Sequence, residues 1–217
     1  MTLALWQHPD LPTLLAADLT KPAEAAWGRE FAPELVYGRH AGPARADARG
    51  AAVTVVFCWD GNENEWLLPL TVRAADLKRH GGQVSFPGGL IDGEESPRDA
   101  AARELAEELG VTPELAWLGN LSPQFVYASN AWVVPCVAAT AGVPQWRPSP
   151  NEVERVISLR IDDLLNQPPA PPLEIVRGPL RFAAPQLRVE EHSAWGATAV
   201  MLGELRGRLR QIERSLE

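Results

Sequence analysis

Apolar runs along the chain predict a sheet-rich protein. Residues 51–59 are apolar and β-branched, which is typical of a central strand, and 66–72 follows as a partner strand after a polar turn. The final helix is predicted at about 197–214, where apolar residues recur at helical spacing. Strands interleaved with helices indicate one α/β domain. Further strands are predicted at 83–87, 115–121, 125–128, 132–140, 153–159, 173–178 and 180–189, and a short helix at 161–165.

A second helix is predicted between Ser96 and Gly110. Ser96 is a good N-cap and Asp99, three residues later, completes a capping box. Pro97 suits the first helical position, and Gly110 suits the residue that ends a helix. This segment therefore carries both a start and a stop signal.

Length and composition describe a globular chain with an N-terminal extension. The 217 residues are 46% hydrophobic and 22% charged, which is enough apolar material to bury a core. Residues 1–45 mix helical patterning with prolines and are predicted to be a helical or irregular extension. Residues 46–217 are predicted to form the main domain.

Charge and cysteine usage narrow the classes of partner. The net charge of −8 provides no basic field for nucleic acid, so local cations or a metal must meet an anionic substrate. Cys58 and Cys136 lie in apolar runs and are predicted to be buried free thiols, which fits a cytoplasmic protein without a signal peptide. The uncharged stretch 115–146 is broken by proline and asparagine, so we expect no membrane span. Whether the chain forms a homodimer is left open.

Three carboxylates cluster on the helix that follows a glycine-rich loop. Glu104, Glu107 and Glu108 fall within a sector of about 100° at helical spacing. A solvated acidic face is one interpretation, although like charges at this spacing cost roughly 0.2–0.5 kcal/mol per pair. The alternative is a site for hard divalent cations, since Mg²⁺ prefers a few carboxylates together with substrate phosphates.

The same segment resembles the motif of a known family. Gly89, Glu95 and the run at 103–111 read as G-x5-E-x7-R-E-U-x-E-E-x-G-U, where U is aliphatic. This resembles the Nudix box at every fixed position. The resemblance implies a Nudix hydrolase, dependent on Mg²⁺ or Mn²⁺, that cleaves a nucleoside diphosphate linked to another group. The fold it implies is α/β, an α/β/α sandwich around a mixed sheet.

The resemblance also implies roles for individual residues. Glu95 and Arg103 are expected to form an ion pair that holds the loop onto the helix. In many Nudix enzymes an acid from a later loop completes the metal site or serves as the base, and Glu152 is the candidate here, with Glu154 second. The expected metal-binding and catalytic groups are the carboxylates of Glu104, Glu107 and Glu108 and the carbonyl of Gly88.

The segment before the box resembles the signature of coenzyme A pyrophosphatases, L-L-T-x-R-[SA]-x3-R-x3-G-x3-F-P-G-G. Pro69 replaces the first leucine and Lys78 the second arginine, with Arg79 adjacent. Lysine keeps the charge and loses the bidentate fork toward phosphate. The matching positions are Leu70, Thr71, Arg73, Ala74, Gly82, Phe86, Pro87, Gly88 and Gly89. The expected substrate contacts are Arg73, Lys78, Arg79, Phe86, Gly88 and Gly89.

This second resemblance continues at 150–165 and 192–205, so it covers roughly residues 50–210. It implies hydrolysis of coenzyme A or acyl-coenzyme A to 3′,5′-ADP and 4′-phosphopantetheine or its acyl form. One alternative keeps the mechanism and changes the substrate to ADP-ribose, NADH or an oxidised nucleotide. Another is a Nudix-fold module that senses a nucleotide without hydrolysing it.

Overall fold

A mixed sheet of eight strands runs through the part of the chain described in a computed structural model, which is residues 3–24, 26–33, 44–77, 80–177 and 180–216. Strands β1 and β7 pair in parallel, from Arg49 opposite Ala131 to Cys58 opposite Thr140, and the other pairs are antiparallel. The central order is β3-β2-β1-β7-β5, with β8 beside β2, β4 beside β1 and β6 beside β7. The strands of this sheet are β1 (Arg49–Asp60), β2 (Glu65–Arg73), β3 (Val84–Ser85), β4 (Gly88–Leu90), β5 (Ala116–Asn120), β6 (Gln124–Val126), β7 (Ala131–Thr140) and β8 (Val153–Arg160).

Two hairpins, five α-helices and a short 3₁₀ helix (Leu5–Gln7) complete the described architecture. Each hairpin is an antiparallel two-stranded sheet. The hairpins join β9 (Leu173–Arg177) to β10 (Leu180–Ala184) and β11 (Gln186–Val189) to β12 (His192–Trp195). The helices are α1 (Leu11–Leu19), α2 (Ala26–Arg29), α3 (Pro97–Leu109), α4 (Ile161–Asn166) and α5 (Ala197–Leu216).

Helices cover both faces of the central sheet. Val55 and Phe57 of β1 belong to the main core, to which α1, α4 and α5 contribute buried leucines. Ala52, on the other face, packs with Ala100 and Ala101 of α3. This alternation is what a strand buried on both sides requires. The predicted α/β/α sandwich around a mixed sheet is confirmed.

Helix α3 begins and ends where its sequence predicts. The Ser96 hydroxyl accepts a hydrogen bond from the backbone N–H of Asp99 at 3.2 Å and donates to the Asp99 carboxylate at 2.6 Å. Gly110 takes a left-handed conformation with φ of 66°. Fixed ends matter here because they set the rotation of the helix, and with it the direction of its glutamates.

Two segments form strands that the local pattern does not predict. Residues 88–90 form the strand β4 rather than a loop, because they pair with 51–53 of β1. Residues 192–195, to which the pattern assigns no element, form the strand β12, because Val189 pairs with His192 across a tight turn. Both strands depend on pairing with another segment, which the local pattern does not show.

The N-terminal residues pack on the main sheet and on α5. Leu11 and Leu15 are buried in the main core, and the Trp66 indole donates to the His8 carbonyl at 3.0 Å. The boundary between residues 45 and 46 stays a prediction. Cys58 and Cys136 are buried and free, as predicted, and burial raises their pKa to about 12 and about 11. Within the described ranges, no helix has the length and apolarity of a membrane span.

Candidate catalytic site

The three glutamates of α3 differ in exposure along one helix face. The side chain of Glu108 is 2% exposed, that of Glu104 is 15% exposed and that of Glu107 is 57% exposed. Glu108 therefore points toward the sheet, Glu107 toward solvent, and Glu104 lies between them. A purely solvated acidic face would not bury one of its carboxylates, because an isolated buried charge is costly.

Arg103 organises the glycine-rich loop against α3. Its Nε and Nη2 donate to the two carboxylate oxygens of Glu95 at 2.9 and 3.0 Å, which is the predicted ion pair in bidentate form. Nη2 also donates to the Leu90 carbonyl at 3.0 Å. Nη1 donates to Glu104 at 2.9 Å and to Glu107 at 3.2 Å. One guanidinium thus connects the loop with two of the three clustered carboxylates.

Glu108 lies between Arg73 and the backbone of β4. The Arg73 Nη1 donates to Glu108 Oε1 and the Gly88 N–H donates to Oε2, each at 3.3 Å. Burial raises the pKa of Glu108 to about 7, against the lowering effect of Arg73 and Gly88. Burial also raises the pKa of Glu104, although Arg103 lowers it. The site therefore holds a carboxylate that changes protonation near neutral pH.

The glycine pair allows close approach on both of its sides. A Cβ at Gly88 would lie 2.3 Å from the Ala52 carbonyl oxygen of β1. A Cβ at Gly89 would lie 2.3 Å from Glu104 Oε1. Any side chain at either position would push β4 away from β1 or displace the Glu104 carboxylate. These contacts give the second glycine pair a role within the protein, in addition to its expected role toward a ligand.

The loop after β7 brings Glu152 to the same cluster. The backbone N–H of Ser149 donates to the Glu108 carbonyl at 2.8 Å, and that of Arg147 donates to the Leu109 carbonyl at 2.7 Å. The Glu152 carbonyl then accepts from the Ala74 N–H, directly after Arg73, at 2.9 Å. The charge of Glu152 is among the causes that raise the pKa of both Glu104 and Glu108.

Sequence reasoning missed the role of Arg147 and Ser149 in that loop. Their backbone amides satisfy carbonyls at the carboxyl end of α3, which a helix leaves without intrahelical partners. A Cβ at Gly110 would lie 2.3 Å from the Arg147 carbonyl oxygen, so the glycine that ends α3 also admits this loop. In the sequence, the only sign of such a cap is that the loop becomes polar near Arg147.

Arg73 occupies the end of β2, where the pairing with β8 shifts register. A bulge of this kind re-aims the side chain that follows it. The Arg73 Nε is buried and has no hydrogen-bond partner among the described residues. The guanidinium therefore holds Glu108 with Nη1, while its buried Nε makes no hydrogen bond to a described residue.

The remaining predicted substrate contacts fall elsewhere. Phe86 is 2% exposed within the main core, so its side chain packs the fold and offers a ligand no surface. This corrects the expectation that it contacts substrate. Lys78 and Arg79 lie outside the described residues.

The donor set matches a hard divalent cation in chemistry. Among the described residues, no three side chains of His, Cys, Asp or Glu are already arranged around one point as a metal site. Mg²⁺ does not need such a cage, since one or two carboxylates, waters and substrate phosphates commonly complete its shell. The oxygen donors available at the cluster are the carboxylates of Glu104, Glu107, Glu108 and Glu152. Their residue types and the unpartnered Arg73 Nε fit a cation bound together with phosphate.

Comparisons with known proteins show which proteins this chain resembles. A family model described as NUDIX domain matches residues 48–177, more than half of the chain. The "Uncharacterized Nudix hydrolase NudL" of Pectobacterium atrosepticum is 32% identical over 139 residues, which cover 64% of this chain and 72% of that protein. Its counterpart from Salmonella paratyphi B shows the same identity and coverage.

Solved structures support the fold alone. A MutT/nudix family protein from Enterococcus faecalis has a TM-score of 0.52 at 14% identity, covering 82% of this chain and 68% of that one. A Nudix hydrolase from M. smegmatis, RenU, has a TM-score of 0.51 at 15% identity, covering 78% and 88%.

Proposed function

Because this chain belongs to the Nudix family and is a Nudix hydrolase, we propose that it hydrolyses the diphosphate of coenzyme A or acyl-coenzyme A. Water adds its oxygen to one phosphorus, and the bridging oxygen leaves on the other phosphate. The products are 3′,5′-ADP and 4′-phosphopantetheine or its acyl derivative. The observation that carries the proposal is Arg73 of the coenzyme A pyrophosphatase-like segment, whose Nη1 contacts the buried Glu108 at 3.3 Å and whose Nε has no hydrogen-bond partner among the described residues.

The packing of that segment explains how it supports Arg73. Leu70, Thr71 and Ala74 are buried, and the Thr71 hydroxyl contacts Ser85 across the β2–β3 pair. The Gly82 N–H donates to the Arg73 carbonyl at 2.9 Å. These matching positions therefore hold the strand end in place. Contact with the phosphates is proposed for Arg73, Lys78 and Arg79.

Glu104, Glu107 and Glu108 are the proposed ligands of Mg²⁺ or Mn²⁺, with the Gly88 carbonyl as a further donor. A divalent ion there would neutralise charge on the diphosphate and make a water more acidic. Arg103 holds Glu104 and Glu107 in place through the contacts to its Nη1. Because Glu104 is partly exposed and Glu108 is buried, the two carboxylates can approach the same phosphate-bound ion from different depths.

Proton transfer from the attacking water is assigned to a carboxylate at this cluster. Glu152 is the candidate base, since its backbone is fixed beside Arg73 and its charge acts on Glu104 and Glu108. The partly exposed Arg73 guanidinium donates to a phosphate oxygen, where a charge-assisted hydrogen bond strengthens as negative charge develops. The base therefore accepts a proton on one side while arginine holds the phosphate on the other.

A substrate panel with Mg²⁺ or Mn²⁺ tests the substrate. Coenzyme A, acetyl-coenzyme A, ADP-ribose, NADH and an oxidised nucleoside triphosphate are compared by mass spectrometry of the products. We expect release of 4′-phosphopantetheine or its acyl form together with 3′,5′-ADP. Turnover of ADP-ribose without turnover of coenzyme A would remove the coenzyme A assignment and keep the diphosphatase.

Glutamine variants test whether the acids act in chemistry. Glu107→Gln and Glu108→Gln are each expected to lower kcat/KM roughly a thousand-fold, since loss of a metal ligand removes several kcal/mol of transition-state stabilisation. Glu94→Gln is the matched control, because Glu94 is an exposed acid of the same segment. Unchanged turnover in both variants would refute the site, and nucleotide binding without turnover in the wild type would indicate a sensing module.

A further inference from the structure

A cavity of about 210 Å³ lies between α2 and the carboxyl-terminal half of α5. It is on the sheet face covered by α5, opposite the face covered by α3. Arg206, Arg210 and Arg214 line it, four residues apart along α5, so that successive turns present them on one side. The cavity therefore concentrates cationic donors away from the glutamates of α3.

A carboxylate balances only one of the three charges at this cavity. Glu30 also lines the cavity and forms an ion pair with Arg206. The Arg210 Nη2 donates to a neutral acceptor, the Leu165 carbonyl, at 2.9 Å. Arg214 has no ion pair with any residue that the structure describes. The side chains of Arg210 and Arg214 are exposed and neither forms an ion pair with a described residue, so both guanidinium groups are accessible to an anion in a chain whose net charge is −8.

Complementing the helix dipole does not explain this arrangement. Cations stabilise the last turn of a helix, but the effect falls off beyond that turn. Arg214 lies in the last turn of α5, whereas Arg210 lies about one turn and Arg206 about two turns earlier. The ion pair with Glu30 accounts for Arg206, so Arg210 is the arginine that needs another explanation.

Two glycines shape the cavity. A Cβ at Gly207 would lie 2.2 Å from Trp27 Cγ, and a Cβ at Gly203 would lie 2.6 Å from Phe31 Cδ2. Glycine inside a helix costs about 1 kcal/mol relative to alanine. At these two positions the helix accepts that cost, and the aromatic rings of the N-terminal segment lie directly on its backbone.

An adjoining cavity of about 130 Å³ shares Glu30 and Arg206 with the first. Gln186 lines it and is 8% exposed. The Gln186 Nε2 is engaged with the Pro171 carbonyl, but its Oε1 is buried and has no hydrogen-bond partner among the described residues. A buried acceptor without a partner is uncommon, and a ligand N–H or O–H would satisfy it.

We propose that these two cavities form one binding site for a small phosphate ester. The phosphoryl group binds Arg210 and Arg214, and a hydroxyl or amide of the same molecule donates to Gln186. Each cavity is smaller than the roughly 300–1,000 Å³ typical of sites for drug-sized ligands. The site therefore suits a phosphorylated fragment rather than a whole dinucleotide, and it does not depend on which substrate α3 acts on.

Titration of isotope-labelled full-length protein tests the site. The probes are inorganic phosphate and glycerol 3-phosphate, with EDTA present, and the readout is the shift of backbone amides in ¹H–¹⁵N spectra. We expect saturable shifts at Gly203 and Gly207 and at the Trp27 indole. The double variant Arg210→Ala with Arg214→Ala should bind both probes at least about 10-fold more weakly, since charge-assisted contacts are lost.

Three further variants separate this site from alternatives. Gln186→Leu should weaken glycerol 3-phosphate and leave inorganic phosphate unchanged. Arg181→Ala removes an exposed arginine outside the cavities, and Glu108→Gln alters the α3 cluster, so both should bind as the wild type does. Shifts that never saturate, shifts confined to residues around Gly88, or equal affinity in the double arginine variant would overturn the proposal.

Discussion

Two clusters of acids and arginines lie on opposite faces of the sheet and differ in how completely they are paired. In the first, between α1 and α5, Arg208 is 3% exposed and contacts Asp18 at 3.1 Å and Glu204 at 3.0 Å. Gln211 and the Ser122 backbone N–H complete the shells of those acids. Every charge in this cluster has a short contact inside the protein.

The α3 cluster contains the same residue types, but its hydrogen-bonding groups are only partly paired. Glu108 is as buried as Arg208, yet its two contacts are both 3.3 Å long and Arg73 keeps an unpartnered Nε. Glu152 adds a further negative charge. The comparison shows that burial of ionic groups does not distinguish the two clusters, whereas completeness of pairing does. The predictions below test that contrast.

The largest effect on stability is expected in the fully paired cluster. Arg208→Met leaves Asp18 and Glu204 buried without their cation, which should lower the free energy of unfolding by about 3–5 kcal/mol. Denaturant titration measures this, and turnover per folded molecule should stay close to wild type. Arg181→Met is the control, because Arg181 and Glu174 form an exposed pair worth at most about 1 kcal/mol. Equal loss in both variants would contradict the contrast.

The α3 cluster should instead show its incomplete pairing as a pH dependence. The pKa of Glu108 is about 7 in the folded chain and 4.5 as its ordinary value. A raised folded pKa gives stability that is present below about pH 4.5 and lost as pH rises through about 7. Without divalent metal, ionisation of Glu108 should lower the free energy of unfolding by about 3 kcal/mol as pH rises over that range.

Glu108→Gln supplies the control for this pH dependence. The variant should lack the Glu108 contribution, and at pH 8 in EDTA it should be at least as stable as the wild type. Thermal unfolding from pH 4.5 to 8 measures both proteins. Parallel stability profiles would show that Glu108 does not titrate in this range.

The smallest effect is expected at the arginine that braces the α3 cluster. Arg103→Lys loses the bidentate contact to Glu95 and the connection to Glu104 and Glu107, so kcat/KM or metal affinity should fall about 10–100-fold. Arg160→Lys is matched, because Arg160 also contacts both oxygens of a glutamate, Glu65, away from the site. If the Arg160 variant loses as much activity, the bracing role of Arg103 is wrong.

The local sequence pattern predicts many of the helices and strands of this fold, but fewer of the long-range strand pairs. The strands at 51–59 and 66–72 and the ends of α3 could be predicted because hydrophobic runs and caps are properties of neighbouring residues. Strand β4 could not, because a glycine pair favours a strand only when another strand approaches it closely. Phe86 was assigned to a ligand surface by its motif, but tertiary packing places it in the core.

In the candidate site, too, the local pattern predicts some features and misses those that depend on long-range contacts. The spacing of Glu104, Glu107 and Glu108 placed them on one helix face, and the Glu95–Arg103 pair followed from the motif. The contact between Arg73 and Glu108 joins residues 35 apart in the chain, so no local pattern shows it. The Arg208 cluster depends on separations of up to 193 residues, and nothing in the sequence distinguishes its acids from surface acids.

The backbone bonds that tie the loop at 147–152 to α3 constrain how this chain can vary in length. Arg147 and Ser149 are fixed to the last carbonyls of α3, and Glu152 is fixed to Ala74. One inserted residue between these anchors adds up to about 3.5 Å of chain, enough to carry the Glu152 carboxylate away from its neighbours. We therefore expect insertions and deletions to be tolerated in the earlier part of the loop, at 141–145, and to disrupt the site at 147–152.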